Sequence, residues 1–268
     1  MALPAPSPTG TCLVTGASSG IGADIARELA ARGHGVTLVA RREERLRDLA
    51  AELNADRNVR AEVVACDLGD AAARDRLAAE VAERGLDVEV LVNNAGFGSG
   101  GRFQEIDHAR ELEMVRLNVE AVVDLCARWV PAMVERGRGA VLNVASVAAF
   151  QPLARQATYG ASKAFVLSFT EALHSDLRGT GVTATVLCPG PVRSEFMDQP
   201  GFEHADDSPG FVWMSSADTA RAGVRGLERG RRVVVPGVTN LAGALAGQHT
   251  PRSVVLALSR RFSPVGRR

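Results

Sequence analysis

Thr11-Cys12-Leu13-Val14-Thr15-Gly16-Ala17-Ser18-Ser19-Gly20-Ile21-Gly22 runs from a short apolar stretch, through a turn of glycine and serine, into a helical pattern that continues to Arg32. A strand, a tight turn and a helix in direct succession open a βαβ unit. The glycines let the chain turn sharply and let a phosphate come close to the backbone at a helix N-terminus, where free N–H groups and the helix dipole favour an anion. The candidate phosphate contacts are Gly16, Ser18, Ser19, Gly20, Ile21 and Gly22. Their spacing is G-x-x-x-G-x-G rather than the commoner G-x-G-x-x-G, so the meaning of the turn depends on its surroundings.

The surroundings repeat the same alternation. Further apolar runs at Gly35–Ala40, Ala61–Ala65, Val88–Val92, Ala140–Ala145, Val182–Leu187 and Arg232–Val235 predict strands. Helical patterns separate them at Glu43–Asn54, Ala71–Arg84, Asp107–Arg136, Thr158–Arg178 and Ala217–Arg229. Strands that are apolar on both faces and spaced by helices predict an α/β fold, a doubly wound parallel sheet of about seven strands with helices on both faces. In such sheets ligands sit beyond the carboxyl ends of the strands. The unusual residues fall there: the glycine turn, Arg41, Asp67, Asn93–Gly96, Ser146 and Pro189–Gly190 each follow a strand.

Size and composition agree with one domain. The 268 residues are 46% hydrophobic, and 31 basic residues balance 31 acidic ones, which gives no electrostatic reason to expect nucleic acid or an acidic membrane. Cys12, Cys66, Cys126 and Cys188 form no C-x-x-C pair, so neither zinc nor a redox motif is expected and no metal is assigned. Residues 1–10, with Pro4, Pro6 and Pro8, read as a flexible arm without the features of a signal peptide. The apolar stretch Val233–Leu258 is broken by Pro236, Gln248, His249, Pro251 and Arg252, so it does not span a bilayer, and a cytoplasmic protein is the default.

Arg41 follows the second strand, where an adenosine ribose would lie. An acid there would bind the 2′-hydroxyl of NAD, whereas an arginine suits the 2′-phosphate of NADP, so NADP(H) is expected over NAD(H). The competing view is a solvated helix start, because Arg42, Arg45 and Arg47 belong to a charged helical face.

Of the 31 basic residues 30 are arginine; the single lysine is Lys163 and the single tyrosine Tyr159. In Tyr159-Gly160-Ala161-Ser162-Lys163 they stand four apart inside a helical pattern, on one face. A phenol titrates near ~10 and is a poor base at neutral pH, and a nearby ammonium would lower that value. Lysine offers a compact charge with three donors, while arginine is a wide planar fork. Ser146, after the fifth strand, could hydrogen-bond the oxygen of a carbonyl substrate while Tyr159 protonates it.

With these residues in place, the chain from about Thr11 to Pro236 resembles the short-chain dehydrogenase/reductase family, in particular its short single-domain branch with a Rossmann-type sheet. The resemblance rests on the glycine turn, Asp67-Leu68, Asn93-Asn94-Ala95-Gly96, Asn118, Ser146, Tyr159 with Lys163, and Pro189-Gly190 in the family's order. It implies hydride transfer between a nicotinamide and a carbonyl or alcohol substrate, with Asn118, Ser146, Tyr159 and Lys163 as a tetrad in which Asn118 anchors a proton-relaying water. It further implies that Asp67 and Leu68 hold the adenine, that Asn93, Asn94, Ala95 and Gly96 support the sheet and the adenosine ribose, and that Pro189, Gly190, Val192 and Ser194 line the nicotinamide. Serine at position 194 departs from the family's usual threonine by one methyl. Homodimers or homotetramers built on the helices at 107–136 and 158–178 are implied too, and Met114, Leu117, Ala121 and Leu125 lie along one stripe of the first.

The substrate side is read only coarsely. Residues 195–216, with Phe196, Met197, Phe202, Phe211, Val212, Trp213 and Met214 among Pro200, Gly201, Pro209 and Gly210, form an expected lid, and Phe97, Gln151 and Leu153 an expected wall, which suits an apolar or bulky ketone, aldehyde or alcohol. A flap that merely packs on its own core is the competing reading. The extension at about 237–268 reads as two short helices with a basic end at Arg260, Arg261, Arg267 and Arg268, more a solvated end than a partner surface or a peripheral membrane contact. The alternative to an enzyme is a catalytically silent NADP-binding sensor or scaffold of the same fold.

Overall fold

The computed structural model describes residues 3–57, 59–198 and 210–262. Its strands are β1 (Gly10–Thr15), β2 (Val36–Ala40), β3 (Ala61–Ala65), β4 (Asp87–Asn93), β5 (Gly139–Val144), β6 (Val182–Leu187) and β7 (Val233–Val234). They form one seven-stranded sheet in the order β3-β2-β1-β4-β5-β6-β7, and every pairing is parallel. The order reverses between β1 and β4, and the loops leaving these two strands part to opposite faces and open a crevice between them.

The interior is built by alternation along the strands. Cys12 and Val14 face a layer made by α1 (Gly20–Ala30), α2 (Glu43–Arg57) and α7 (Ser216–Glu228), through Ile25, Leu29, Leu46, Leu53, Val224 and Leu227. Leu13 faces the opposite layer, where α3 (Ala71–Glu83), α5 (Ala121–Glu135) and α6 (Ala157–Asp176) contribute Leu77, Val81, Leu125, Met133, Phe169 and Leu173. Both faces of the sheet are therefore covered, and the strands read as continuous apolar runs for that reason.

Two sequence expectations change in detail. The long pattern at 107–136 is not one regular helix: α4 (His108–Val115) passes through a π-helical turn at Arg116–Glu120 before α5. A π turn inserts one extra residue and resets which side chains face inward. The stripe of Met114, Leu117, Ala121 and Leu125 faces the protomer's own interior: Ala121 and Leu125 are buried in a cluster against which Leu117 packs, and Met114 is buried beside Ala148 and Tyr159. It leaves no surface for a partner. The exposed apolar side chains of these elements are Leu112, Val115 and, on α6, Phe165.

Residues 3–9, expected as a loose arm, touch the domain. Leu3 packs against the core, Ser7 Oγ donates to Glu89 Oε1 at 2.9 Å, and Arg60 Nη1 donates to the Pro8 carbonyl at 2.7 Å. The two helices expected beyond Pro236 are α8 (Val238–His249) and α9 (Arg252–Phe262). The extension is fastened where Ser259 Oγ accepts the Ala154 N–H at 3.1 Å. No helix among the described residues is long and apolar enough to cross a membrane. Phe202, Pro200, Gly201 and Pro209 of the expected lid, and Arg267 and Arg268 of the basic end, lie outside the described residues.

Candidate active site

A cavity of about 610 Å³ opens at the carboxyl ends of the strands, along the crevice between the β1 and β4 loops. Eighteen of the twenty-one expected site residues line it: Gly16, Ser18, Ser19, Gly20, Ile21, Arg41, Asp67, Leu68, Asn94, Ala95, Gly96, Ser146, Tyr159, Lys163, Pro189, Gly190, Val192 and Ser194. Gly22, Asn93 and Asn118 do not, and each has a place just behind the wall.

The glycine turn adopts the strained backbone its composition allows: Gly16 has φ 65° and Gly20 φ 55°, where side chains are rarely tolerated. Gly22 sits underneath, where a Cβ would lie closer than 3.0 Å to the Gly16 carbonyl and the Asn94 amide. Thr15 Oγ1 donates to the Val92 carbonyl and accepts the N–H groups of Asn94 and Ala95, at 2.9 to 3.0 Å, tying the two loops of the crevice together. Asn94 Nδ2 completes the tie at the Thr15 carbonyl, 2.9 Å away. Ser19, at the N-cap of α1, makes no side-chain capping bond, and the first turn of α1 has no acidic residue. The backbone donors of that turn thus face the cavity with no competing anion from α1 itself.

Asn93 ends β4 with its side chain pointing into the sheet's buried face. Its Nδ2 donates to Asn143 Oδ1 at 2.8 Å, and Asn143 Nδ2 donates to Thr170 Oγ1 at 2.9 Å. Strand alternation sends Asn93 inward and leaves Asn94 on the cavity wall.

At the other end, α6 carries Tyr159 and Lys163 one turn apart, both buried and both on the cavity. Lys163 Nζ donates to the carbonyl of Val144, the last residue of β5, at 3.0 Å. Ser146, two residues farther on, hydrogen-bonds the Tyr159 hydroxyl and accepts the Ala148 N–H at 3.1 Å. Asn118 sits in the π-helical turn, with Oδ1 accepting the Phe97 N–H at 3.2 Å. Its Nδ2 donates to the Phe97 carbonyl at 2.9 Å and to Ser162 Oγ at 3.1 Å. A Cβ on Gly96 would stand 2.9 Å from Asn118 Oδ1 and 3.4 Å from Lys163 Nζ, so these groups surround one small space beside the cavity.

The electrostatics of the pair differ from the expectation. Burial pushes the Tyr159 phenol up to about 12, and the Ser146 hydrogen bond draws it back only in part. Burial likewise lowers the Lys163 ammonium to about 8. Nζ lies 5.9 Å from the tyrosine ring centroid. Loss of water dominates both groups, because each is enclosed between α6 and the end of β5.

The arginines after β2 divide their work in a way the sequence left open. Arg41 lines the cavity but reaches outward, its Nη1 3.5 Å from Glu113. Arg42 turns onto the glycine turn: Nη2 donates to Ser18 Oγ and to Ser19 Oγ, both at 2.9 Å. Arg42 and Asn94 were visible in the sequence; nothing in periodicity told which of two adjacent arginines would grip the glycine turn, or which of two adjacent asparagines would face the cavity. Toward the substrate end, Phe97, Gln151 and Leu153 line the cavity as expected, joined by Phe196, Met197 and Trp213. The Phe196 ring lies 5.6 Å from that of Tyr159.

The family model for short chain dehydrogenases matches residues 10–203, from the first strand through the site. The chain belongs to the short-chain dehydrogenase family. Among its relatives, sulfoacetaldehyde reductase 2 of Chromohalobacter salexigens is 40% identical over 186 residues, 69% of this chain and 73% of its own length. A short-chain dehydrogenase from Sphingobium yanoikuyae, solved in complex with NADPH, superposes with a TM-score of 0.79 at 33% identity, covering 89% of this chain and 94% of that one. A family member from Burkholderia phymatum, solved with NAD, gives a TM-score of 0.81 at 25% identity over 91% of this chain and 93% of its own. This short-chain dehydrogenase is an oxidoreductase of carbonyl and alcohol groups that depends on a nicotinamide dinucleotide. Similar folds are solved with either dinucleotide, so the choice between them has to be read from this chain's own residues.

Proposed function

We propose that this short-chain dehydrogenase interconverts an apolar or bulky ketone or aldehyde and its alcohol with NADP(H), using Ser146, Tyr159 and Lys163 as catalytic residues positioned with the help of Asn118. The observation that carries the reading is the burial of the chain's single tyrosine and single lysine, one helical turn apart, on the same cavity as the glycine turn.

The residues fit a dinucleotide. The turn from Gly16 to Ile21 and the uncapped start of α1 suit a pyrophosphate, with Gly22 keeping the space beneath free of a side chain. Asp67 and Leu68 would flank the adenine, Ala95 and Gly96 the adenosine ribose, and Pro189, Gly190, Val192 and Ser194 the nicotinamide. Asn93 serves the site through the sheet. Arg41 and Arg42 stand where a 2′-phosphate would lie, with no acid at either position, and this favours NADP(H) over NAD(H).

When bound, the dinucleotide supplies the hydride in reduction and accepts it in oxidation. Tyr159 gives its hydroxyl proton to the carbonyl oxygen as that oxygen gains charge, and takes it back in alcohol oxidation. Ser146 offers its hydroxyl to the same oxygen. Lys163 stabilises the phenolate and presents donors to ribose hydroxyls. Asn118 holds the Gly96–Phe97 main chain against Lys163, a positioning role its hydrogen bonds support. Phe97, Leu153, Phe196, Met197 and Trp213 give the substrate end an apolar wall that limits water at the reacting carbon. Four buried, unpaired thiols suit a cytoplasmic setting, and exposed Leu112, Val115 and Phe165 suit a homodimer or homotetramer.

A panel of ketones, aldehydes and secondary alcohols, run with all four nicotinamide cofactors, tests the reading. Turnover of apolar carbonyls with NADPH well above that with NADH is expected. Equal affinity for NADPH and NADH would remove the cofactor assignment, and full activity in Tyr159→Phe would remove the mechanism.

A further inference from the structure

Glu195 opens the short 3-10 turn Glu195–Asp198, one residue past Ser194. Its carboxylate reaches back to the start of α2, where Oε2 accepts from Arg42 Nη1 at 2.7 Å and Oε1 accepts from Arg45 Nη1. The two guanidiniums hold the Glu195 carboxyl down to about 2, so it is an anion at any working pH. The Arg42 guanidinium that accepts this partner also grips Ser18 and Ser19 at the mouth of the cavity. The residue after Glu195 is Phe196, which lies against Tyr159 and packs with Met197 and Trp213. One turn of four residues therefore touches both the cationic end of the site and the wall at its reacting end.

We propose that Glu195 is a specificity-determining residue: its carboxylate competes with the 2′-phosphate of the cofactor for Arg42 and Arg45, and its displacement is felt through Phe196 at the substrate wall. The inference rests on the NADP(H) reading above and adds what limits it. A phosphate near Arg42 has to replace the carboxylate or share the guanidinium with it, because two anions on one fork repel. NAD(H), lacking that phosphate, leaves the Glu195 pairs alone. Arg42 stays placed without Glu195, since both serine hydroxyls still hold it, so removing the carboxylate frees an anion site already built. Arg41 takes no part in the competition, being paired toward Glu113.

The test is equilibrium binding of NADPH and NADH, followed by nicotinamide fluorescence or calorimetry, to the full chain and to Glu195→Gln. The substitution should tighten NADPH by about fivefold, the size expected of two exposed ion pairs no longer competing, and change NADH by less than about twofold. A second measurement uses adenosine 2′,5′-bisphosphate, which cannot reach the reacting end. It should alter Trp213 emission in the native chain, through the Glu195–Phe196 link, and alter it much less in Glu195→Gln. An NADPH preference in the native chain that Glu195→Gln leaves unchanged or weakens overturns this proposal alone. Equal affinities for the two cofactors in both proteins overturn the phosphate site and this proposal with it.

Discussion

Replacing Lys163 with methionine keeps much of the side-chain volume and removes the only ammonium near Tyr159, so its effect on the pH profile follows from the electrostatics of the pair. In the folded chain the phenol is pushed up to about 12 and the ammonium down to about 8. Both values arise from burial, which raises the acid and lowers the base. The ammonium, with Nζ 5.9 Å from the ring centroid, favours the ionised phenol against that burial, and the substitution takes this support away. Because burial brings the lysine's own proton loss down to about 8, the phenolate–ammonium form stops growing once the pH passes that value. Without the ammonium the ionised fraction of the phenol is smaller and climbs tenfold per pH unit, with no lysine titration to level it. Lys163→Met should therefore lose at least ~100-fold at neutral pH, the low end of general acid–base catalysis, and lose less as the pH rises. The assay is single-turnover oxidation of a secondary alcohol with saturating NADP⁺ across that range. The native enzyme should level off above about pH 8, and the variant should keep climbing. Lys163→Arg, which retains charge but misplaces donors, should fall between the two. A plateau in Lys163→Met at the native position, with activity still measurable, would refute the coupling and leave the lysine a ribose clamp.

Other substitutions probe the frame around this pair. Gly22→Ala places a methyl against the Gly16 carbonyl and the Asn94 amide, so cofactor affinity should fall at least ~10-fold while the circular-dichroism spectrum stays native. Arg74, almost wholly buried, donates to Asp124 at 2.8 Å, to the Leu68 carbonyl at 2.8 Å and to Glu120, so Arg74→Met should cost about 2–3 kcal/mol in denaturant unfolding. Arg42→Ala should weaken NADPH binding more than Arg41→Ala does, in parallel titrations, because Arg42 is the one seated on the glycine turn. Light scattering after sizing should give a dimer or tetramer, and Phe165→Glu should shift it toward monomer; an unaffected assembly would place the interface elsewhere.

Much of this protein was legible in its sequence because the relevant forces are local. Seven apolar runs separated by helical patterns state a two-sided parallel sheet, since strands buried on both faces need no polar positions. Gly16 and Gly20 declare a turn that few other residues could make, and a lone Tyr159 four residues before a lone Lys163 declares a pair on one helical face. What the sequence could not decide concerns neighbours that differ by a single step. Asn93 and Asn94, or Arg41 and Arg42, are chemically identical in one dimension, and only the fold sends Asn93 into the sheet and Asn94 to the cavity, and turns Arg42 onto the glycine turn while Arg41 reaches toward Glu113. The π-helical turn at Arg116–Glu120 shifts the register of a helix whose apolar stripe then belongs to the core and not to a partner. The pKa values of Tyr159 and Lys163, and the reach of Glu195 to Arg42 across 153 positions, depend on desolvation and on contacts between distant segments. Those are properties of the folded chain alone, because water leaves and distant charges meet only when the tertiary structure closes around them.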